Sequence, residues 1–330
     1  GRICMVVDSG AVLFDPDGLD RKALLRLAVS RHTRPRLNTT SFPVECLGPR
    51  GFIVRRTDRN VTLPDGTLVE DGAFFHSNVL VTPENRRFLS QANIRAFVPC
   101  GGLKDTINFA NVRAFLANFQ ELLLIVEGAN VFFDDSAREI IARESTIVQI
   151  KDSTANKGGV TSSSLAEVLT AFLLGEDYEK ALVDNEANRC RLVHELLSII
   201  AANASAETAM LLDLHAARPD VPLYRLSVDT SEWLLAFQER VREHLEAILA
   251  NAAMVRKVVL GYVPPLLTEL VGADTILERL GTDELRAYRD AIISKKLAAL
   301  ALYRHGSRWD AFLKDYEKAP MKVLKSLVEA

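Results

Sequence analysis

The sequence predicts an α/β protein with a parallel sheet in its first half and helices in its second half. Up to Gly175, short apolar runs rich in β-branched residues alternate with helical patterns, which is typical of βαβ units. The nearly continuous apolar character of these runs favours a sheet that is covered on both faces. After Gly175 the apolar residues recur at helical spacing, and residues 233–248 predict one long helix. Its aromatic stripe is expected to pack against the sheet, a partner subunit or a part of the chain that is absent here. The predicted fold is therefore a Rossmann-like, doubly wound sheet followed by an all-helical subdomain.

The change in pattern near Gly175 predicts two domains, residues 1–175 and residues 176–330. The candidate strands of the first domain are residues 3–7, 96–98, 122–126 and 147–150. Asp20 is a candidate N-cap for a helix that follows the first strand. Residues of about 48–76 alternate between apolar and polar around Pro64-Asp65-Gly66, so they predict a β-hairpin insertion in this domain.

Composition and charge exclude several classes of protein. The chain has 330 residues, of which 48% are hydrophobic and 25% charged, enough for a large core and two domains. A net charge of −3 argues against a nucleic-acid partner, because such proteins concentrate basic residues on one face. No uninterrupted apolar run approaches the ~20 residues that cross a bilayer, so no membrane partner is expected. The four cysteines are scattered without metal-ligand spacing, which predicts reduced thiols in an intracellular compartment and no metal site.

A glycine pair and three serines precede an amphipathic pattern in the segment 155–164. We expect a strand at residues 147–150, a turn at Gly158-Gly159 and a helix that begins near Ser162-Ser163-Ser164. The free amides and the positive dipole of such a helix N-terminus favour a bound carboxylate or phosphate. The alternative is an ordinary tight turn whose serines are only N-caps, and the pattern alone leaves both interpretations open.

Asp8 is the second candidate site residue, because it follows the first apolar run directly. Dinucleotide-binding folds place an acidic residue at this position, where it accepts both hydroxyls of the adenosine ribose and disfavours a 2′-phosphate. The alternative is a turn formed by Asp8 with Ser9-Gly10. Two further strand ends, at Cys100-Gly101-Gly102 and Gly128-Ala129-Asn130, carry small residues that let a ligand approach the backbone closely.

Six segments in this order resemble the large NAD-specific glutamate dehydrogenases over about residues 3–180. They are Val7-Asp8-Ser9-Gly10, Asp15-Pro16-Asp17-Gly18-Leu19-Asp20, Leu63-Pro64-Asp65-Gly66, Phe97-Val98-Pro99-Cys100-Gly101-Gly102, Val126-Glu127-Gly128-Ala129-Asn130 and the run from Lys151 to Leu165. The helical remainder resembles the C-terminal extension of that family only in outline. The resemblance implies oxidative deamination of L-glutamate to 2-oxoglutarate and ammonia, with NAD as cofactor and residues 1–175 as its binding domain.

The same resemblance implies roles for individual residues. The implied cofactor-binding residues are Asp8, Ser9, Cys100, Gly101, Asn130 and Asn156. The implied substrate-binding residues are Asn156, Gly159, Val160 and Ser163. Asp8 would hold the ribose, while Cys100 and Gly101 would lie against the cofactor backbone. Asn130 and Asn156 would orient the nicotinamide and the reacting end of the substrate. Val160 would line the pocket for the substrate side chain, and Ser163 would bind the γ-carboxylate of the substrate.

The chain also departs from the family pattern. It contains no Gly-x-Gly-x-x-Gly, so the first strand and the phosphate-binding turn of the nucleotide fold are expected to be missing. No lysine stands in the context of the family's catalytic lysine, so the catalytic residues are expected upstream, in an N-terminal part of the same enzyme, and the chain alone is expected to be inactive. The family pattern places a glutamate directly after Leu165, whereas here Ala166 precedes Glu167.

The remaining expectations concern assembly and alternatives. The resemblance implies a homo-oligomer in the mitochondrion or the cytoplasm. Within the same enzyme class, the site would serve another amino acid if Ser163 were apolar, and its hydroxyl argues against this. The alternative from another class is a non-catalytic nucleotide-sensing or scaffolding module whose helical half binds a partner.

Overall fold

The computed structural model describes residues 1–30 and 37–329, and the chain divides into two compact units, Gly1–Asp152 and Ser153–Ala330. This division lies earlier in the chain than the boundary expected at Gly175. Residues 153–175 therefore belong with the helices of the second unit. The assignment of one domain to the cofactor and one to a helical extension stays a prediction.

The first unit begins with an antiparallel sheet of three strands, β1 (Met5–Val7), β2 (Ala11–Phe14) and β3 (Phe52–Arg55), in the order β1-β2-β3. The prediction that residues 3–7 belong to the parallel sheet is wrong. The reason is local, because the turn after β1 reverses the chain, with the Asp8 amide donating to the Ala11 carbonyl at 3.3 Å. Adjacent strands joined by so short a turn pair as a hairpin.

A helix and a second hairpin follow. Helix α1 (Arg21–Ser30) begins after Asp20, whose carboxylate accepts the Ala23 amide at 2.7 Å, as expected of an N-cap. Strands β4 (Arg59–Thr62) and β5 (Leu68–Asp71) form an antiparallel pair around the predicted Pro64-Asp65-Gly66 turn, where Gly66 has a φ of 85°. The predicted hairpin is thus confirmed for residues 59–71, although β3 pairs with β2. Two short helices then complete this region, α2 (Gly72–Asn78) and α3 (Arg86–Leu89).

The parallel sheet consists of β6 (Ala96–Phe97), β7 (Leu124–Val126) and β8 (Val148–Ile150), with β7 in the centre. Helix α4 (Val112–Asn118) connects β6 to β7, and α5 (Asp135–Glu144) connects β7 to β8. These strands and their parallel alignment confirm the prediction. The fully buried apolar side chains of this region are Ile107, Val112, Phe115, Ile125, Phe133, Ala137 and Ile141. The mixed α/β class is confirmed, and a doubly wound sheet without its first strand stays a prediction.

In the second unit, all the regular structure between residues 153 and 329 is helical, which agrees with the prediction for residues after Gly175. Its helices are α6 (Asp152–Ala155), α7 (Gly158–Ser162), α8 (Thr170–Leu174), α9 (Glu186–Ala217), α10 (Leu223–Arg242), α11 (Leu245–Leu249), α12 (Ala252–Leu260), α13 (Pro265–Val271), α14 (Ala273–Leu280), α15 (Arg286–His305), α16 (Trp309–Lys318) and α17 (Pro320–Glu329). Two π-helical segments, Ser163–Leu169 and Glu179–Val183, lie among them.

The aromatic stripe of the second unit packs in its core. The Phe237 ring on α10 lies 5.4 Å from Trp309, 5.3 Å from Phe312 and 4.8 Å from Tyr316 on α16, measured between ring centroids. The prediction of one long helix over residues 233–248 is wrong, because α10 ends at Arg242 and α11 begins at Leu245. The apolar spacing continues across this break through Val241 and Leu245, which is why the sequence pattern did not reveal it.

Helix α9 is the one helix in residues 1–30 and 37–329 that is long and apolar enough to cross a membrane by length and composition, with 22% of its apolar window buried. Two of its carboxylates are bound within the second unit. Glu207 pairs with Lys157, and Glu195 accepts the Leu266 amide at 2.9 Å. Helix α9 is therefore packed within the second unit and keeps an exposed apolar face.

Candidate functional site

The carboxyl ends of β6 and β7 meet at one edge of the parallel sheet. The Ala129 amide donates to the Pro99 carbonyl at 2.7 Å, so the loop after β7 is bound to the loop after β6. A Cβ atom at Gly128 would lie 3.2 Å from both Cys100 Sγ and the Pro99 carbonyl oxygen. A side chain at position 128 would therefore push these two loops apart, and glycine permits their close approach.

Three predicted cofactor residues, Cys100, Gly101 and Asn130, lie on these two loops and are exposed. A Cβ atom at Gly101 would meet nothing within 4 Å, so open space lies in front of this backbone. Gly102, with a φ of 120°, turns the chain away directly afterwards. The edge thus combines accessible backbone with one exposed amide side chain, an arrangement that suits a flat polar ligand at the end of a parallel sheet.

A buried polar cluster, which we call the edge cluster, lies at the same edge and consists of Glu127, Arg138, Gln149 and Asp152. The Arg138 guanidinium binds Glu127 through Nε to Oε1 at 3.0 Å and Nη2 to Oε2 at 2.6 Å. Gln149 donates to Glu127 Oε1 at 2.9 Å. Asp152 Oδ2 lies 3.5 Å from Arg138 Nη2 and accepts the Val131 amide at 2.8 Å. The cluster therefore joins β7, α5, β8 and the loop that carries Asn130.

The ionisation of the edge cluster follows from burial and pairing. Burial raises the pKa of Glu127, although the hydrogen bonds from Arg138 and Gln149 oppose this. Burial also works against the charge of Arg138, but its bonds to Glu127 outweigh burial and raise the pKa of the guanidinium. Burial raises the pKa of Asp152 as well, yet the bonds from Lys151 and Val131 lower it by more, so the net shift is downward. Because a guanidinium stays protonated in proteins, the cluster holds a buried cation among carboxylates.

The sequence analysis did not identify the edge cluster as functional. One signal was present, because Arg138 follows Ala137 and precedes Ile140 and Ile141 on the buried face of α5. An arginine on an apolar helix face is almost always paired when it is buried. Its partner Glu127 lies directly after β7, but no periodicity links the two residues.

The structure supports the turn interpretation of Asp8. Its carboxylate accepts the Gly10 amide at 2.9 Å, the Thr39 amide at 2.8 Å and the Thr39 hydroxyl at 2.7 Å. Burial would raise the pKa of Asp8, but these hydrogen bonds together hold it below 3.8. The Ala11 amide is a further donor to this carboxylate, so its roughly four acceptor positions are already engaged within the turn. The expectation that Asp8 ends a parallel strand is wrong, and its ribose contact stays a prediction.

The exposed Ser9 lies beside an open cleft of about 610 Å³ in the first unit. The residues that line this cleft are Ser9, Gly10, Thr40, Arg55, Arg56, Thr57 and Ala73. The predicted contact of Ser9 with the cofactor stays a prediction.

The glycine pair does not form the predicted turn. Helix α7 begins at Gly158, and both glycines have right-handed helical backbone. Ser163 has a φ of −60° and a ψ of −41°, so the serines lie inside the helical run and not at its start. Both interpretations of the segment are therefore wrong in this respect. The first-turn amides without a partner inside α7 are those of Gly158, Gly159 and Val160, because the Thr161 amide is the first to bond a carbonyl at the start of this helix, that of Lys157 at 3.0 Å.

The predicted substrate residues Gly159, Val160 and Ser163 are exposed. Ser163 follows Val160 by three positions and Gly159 by four, so it shares a helical face with each of them. The Ser163 hydroxyl donates to Glu167 Oε1 at 3.4 Å. The π-helical segment Ser163–Leu169 contains Ala166, the residue that departs from the family pattern. A π-helical turn holds one residue more than an α-helical turn, so it accommodates the extra residue without ending the helix.

Two anchors flank Asn156 in the second unit. Before it, Thr154 Oγ1 lies 2.5 Å from Ser227 Oγ on α10. After it, Lys157 Nζ binds the buried Glu207 on α9, at 2.5 Å from Oε1 and 2.6 Å from Oε2. The Tyr303 hydroxyl donates to Glu207 Oε2 at 3.2 Å. The backbone around the half-buried Asn156 is therefore held on both sides.

Comparisons of the sequence with known proteins identify relatives of this chain. The family model described as glutamate/leucine/phenylalanine/valine dehydrogenase matches residues 1–184. Glutamate dehydrogenase 2 of Dictyostelium discoideum is 33% identical over 93% of this chain and 28% of its own length. A probable NAD-specific glutamate dehydrogenase of Schizosaccharomyces pombe is 32% identical over 97% of this chain and 28% of its own length. The NAD-specific glutamate dehydrogenase of Neurospora crassa is 32% identical over 92% of this chain and 27% of its own length.

The chain thus spans only about 28% of the length of the curated relatives it matches. No solved structure matches it.

Proposed function

Because the chain belongs to the glutamate/leucine/phenylalanine/valine dehydrogenase family, we propose that it is the cofactor-binding C-terminal part of an NAD-dependent glutamate dehydrogenase. The reaction is the oxidative deamination of L-glutamate to 2-oxoglutarate and ammonia. The observation that carries this proposal is the exposed edge of the parallel sheet with Cys100, Gly101 and Asn130, which lies inside the matched region. The names of the curated relatives support the choice of glutamate and NAD.

The residues at the sheet edge fit a nicotinamide dinucleotide. NAD supplies the acceptor for the hydride that leaves the substrate α-carbon. Cys100 and Gly101 give the cofactor backbone a place to lie, since no side chain projects from Gly101. The side-chain amide of Asn130 both donates and accepts, as the carboxamide of the nicotinamide requires. In this proposal Asp8 binds a hydroxyl of the adenosine ribose in exchange for one of the donors of its own turn.

The substrate residues proposed on the second unit suit a dicarboxylic amino acid. The free amides of Gly158 to Val160 and the positive end of the helix attract a carboxylate. The Ser163 hydroxyl donates to the γ-carboxylate, Val160 contacts the methylene groups, and Asn156 orients the reacting end. These interactions favour glutamate over an apolar amino acid by about 10 to 100-fold. The catalytic lysine and the proton-transfer residue belong to the N-terminal part of the enzyme, so residues 1–330 alone have no turnover.

The test is glutamate-dependent NADH formation by the complete enzyme that contains this chain. We expect Ser163→Ala to raise the Michaelis constant for glutamate about tenfold, because the γ-carboxylate loses one hydrogen bond, with little change in the affinity for NAD. The matched control is Ser198→Ala on α9, whose hydroxyl donates to the His194 carbonyl.

An unchanged Michaelis constant in Ser163→Ala would remove Ser163 from the substrate site. NADH binding by the complete protein without glutamate-dependent turnover would favour a nucleotide-sensing module instead. Turnover by residues 1–330 alone would show that the catalytic groups lie within this chain.

A further inference from the structure

We propose that Arg138 is a positioning residue that holds Asn130 in place through a ring of buried hydrogen bonds and ion pairs at the sheet edge. This inference rests on the proposed function, in which Asn130 orients the nicotinamide. Neither the family pattern nor the sequence periodicity assigned a role to Arg138, and its side chain is only 2% exposed. It therefore acts on the reaction only through the groups that it holds.

The ring can be followed from atom to atom. Arg138 binds both oxygens of Glu127 at the end of β7. The chain then runs through Gly128 and Asn130 to Val131, whose amide donates to Asp152 Oδ2 at 2.8 Å. The same Asp152 oxygen lies 3.5 Å from Arg138 Nη2, which closes the ring. Asn130 thus lies between two points that both contact one guanidinium.

The backbone of the loop after β7 is strained at Val131. Val131 has a φ of 52°, a left-handed conformation that is unfavourable for a β-branched residue. Its amide is bound by Asp152, and the neighbouring amides are bound as well, Glu127 to the Ile150 carbonyl at 3.0 Å and Ala129 to the Pro99 carbonyl at 2.7 Å. Strained backbone of this kind persists only when its surroundings determine it, and it concentrates at functional sites.

The charges that face Arg138 explain why an arginine stands there. Glu127, Asp152 and Asp135 all approach its guanidinium, and Lys151 lies on the outer side of Asp152 at 2.8 Å. The planar guanidinium binds several carboxylate oxygens at once in fixed directions. A lysine keeps the charge, but it cannot hold both Glu127 oxygens and remain in reach of Asp152. Arg138→Lys therefore preserves the positive charge while it loosens the ring.

The experiment measures the turnover number and the Michaelis constants of the complete enzyme as wild type, Arg138→Lys, Asn130→Ala and the double variant. We expect Arg138→Lys to lower the turnover number by about 10 to 100-fold, as small displacements of a reacting group do. The Michaelis constant for glutamate should change less than about threefold. In the Asn130→Ala background, Arg138→Lys should have little further effect, because the residue that it positions is already gone.

The matched control is Arg113→Lys, which changes an exposed arginine that binds Glu144 with the same two-point geometry. It should leave turnover unchanged. If Arg138→Lys unfolds the enzyme, Asp152→Ala replaces it, since it removes the acceptor for Val131 and leaves the pair of Arg138 with Glu127. The same non-additive loss with Asn130→Ala is expected.

Two results would overturn the inference while the proposed function stands. One is an active wild type whose turnover is unaffected by Arg138→Lys. The other is a loss of equal size in both backgrounds, which would indicate a structural role independent of Asn130. A wild type without glutamate-dependent NAD reduction would overturn the proposed function, and the positioning role with it.

Discussion

Two arginine–glutamate pairs in the first unit have almost the same geometry and very different surroundings. Arg138 binds Glu127 at 3.0 and 2.6 Å with both side chains essentially buried, at 2% and 0% exposure. Arg113 binds Glu144 at 3.0 and 2.8 Å with 54% and 33% exposure. Water screens the attraction between Arg113 and Glu144, so removal of one partner should cost little stability. In the interior, removal of one partner leaves the other as a buried, uncompensated charge, which costs much more. Burial, and not the contact itself, decides which pair supports the site.

The largest expected effect comes from removing the buried guanidinium. Arg138→Met keeps the length of the side chain but leaves the Glu127 carboxylate buried without a counter-charge, so we expect the first unit to lose about 3–5 kcal/mol of unfolding free energy. Arg113→Met should leave that free energy close to unchanged. Both tryptophans of the chain lie in the second unit, so amide hydrogen exchange of β7 and β8 is the suitable measurement. Equal protection in the two variants would contradict the contrast drawn here.

A pair with one buried partner should fall between these extremes. Lys157 is 46% exposed, whereas its partner Glu207 is 7% exposed and keeps the Tyr303 hydroxyl as a second donor. We expect Lys157→Met to cost the second unit about 1–3 kcal/mol, because a buried acceptor loses one partner. Tryptophan fluorescence during urea unfolding reports this unit. Lys318→Met, which removes an exposed partner of Asp315, is the control, and equal midpoints for both variants would argue against an effect of burial.

The parts that sequence analysis predicted are those with a local physical cause. Strands β6, β7 and β8 were predicted because short, continuous apolar runs between helical patterns are typical of buried parallel strands. The cap at Asp20 and the turn at Gly66 were predicted because each residue type satisfies a specific backbone need. The exposed positions of Cys100, Gly101 and Asn130 follow from their place directly after parallel strands.

The parts that could not be predicted depend on partners distant in sequence or on small differences in backbone energy. An apolar run does not specify its neighbour, so β1 was assigned to the wrong sheet. Gly158 and Gly159 are compatible with both a turn and a helix, and Lys157, which binds Glu207 fifty residues later, helps to anchor the start of the helix. The pairing of Arg138 with Glu127 joins a helix to a strand end, and no spacing rule relates the two.

The central claim, that the cofactor lies against the backbone at the end of β6, is tested most directly by Gly101→Val in the complete enzyme. A Cβ at this position meets nothing within 4 Å, and Gly101 does not have a positive φ, so the fold and its melting temperature should be retained. We expect the dissociation constant for NADH, measured by fluorescence titration, to rise at least about tenfold because the valine occupies the space of the cofactor. An unchanged dissociation constant in a normally folded Gly101→Val enzyme would contradict it.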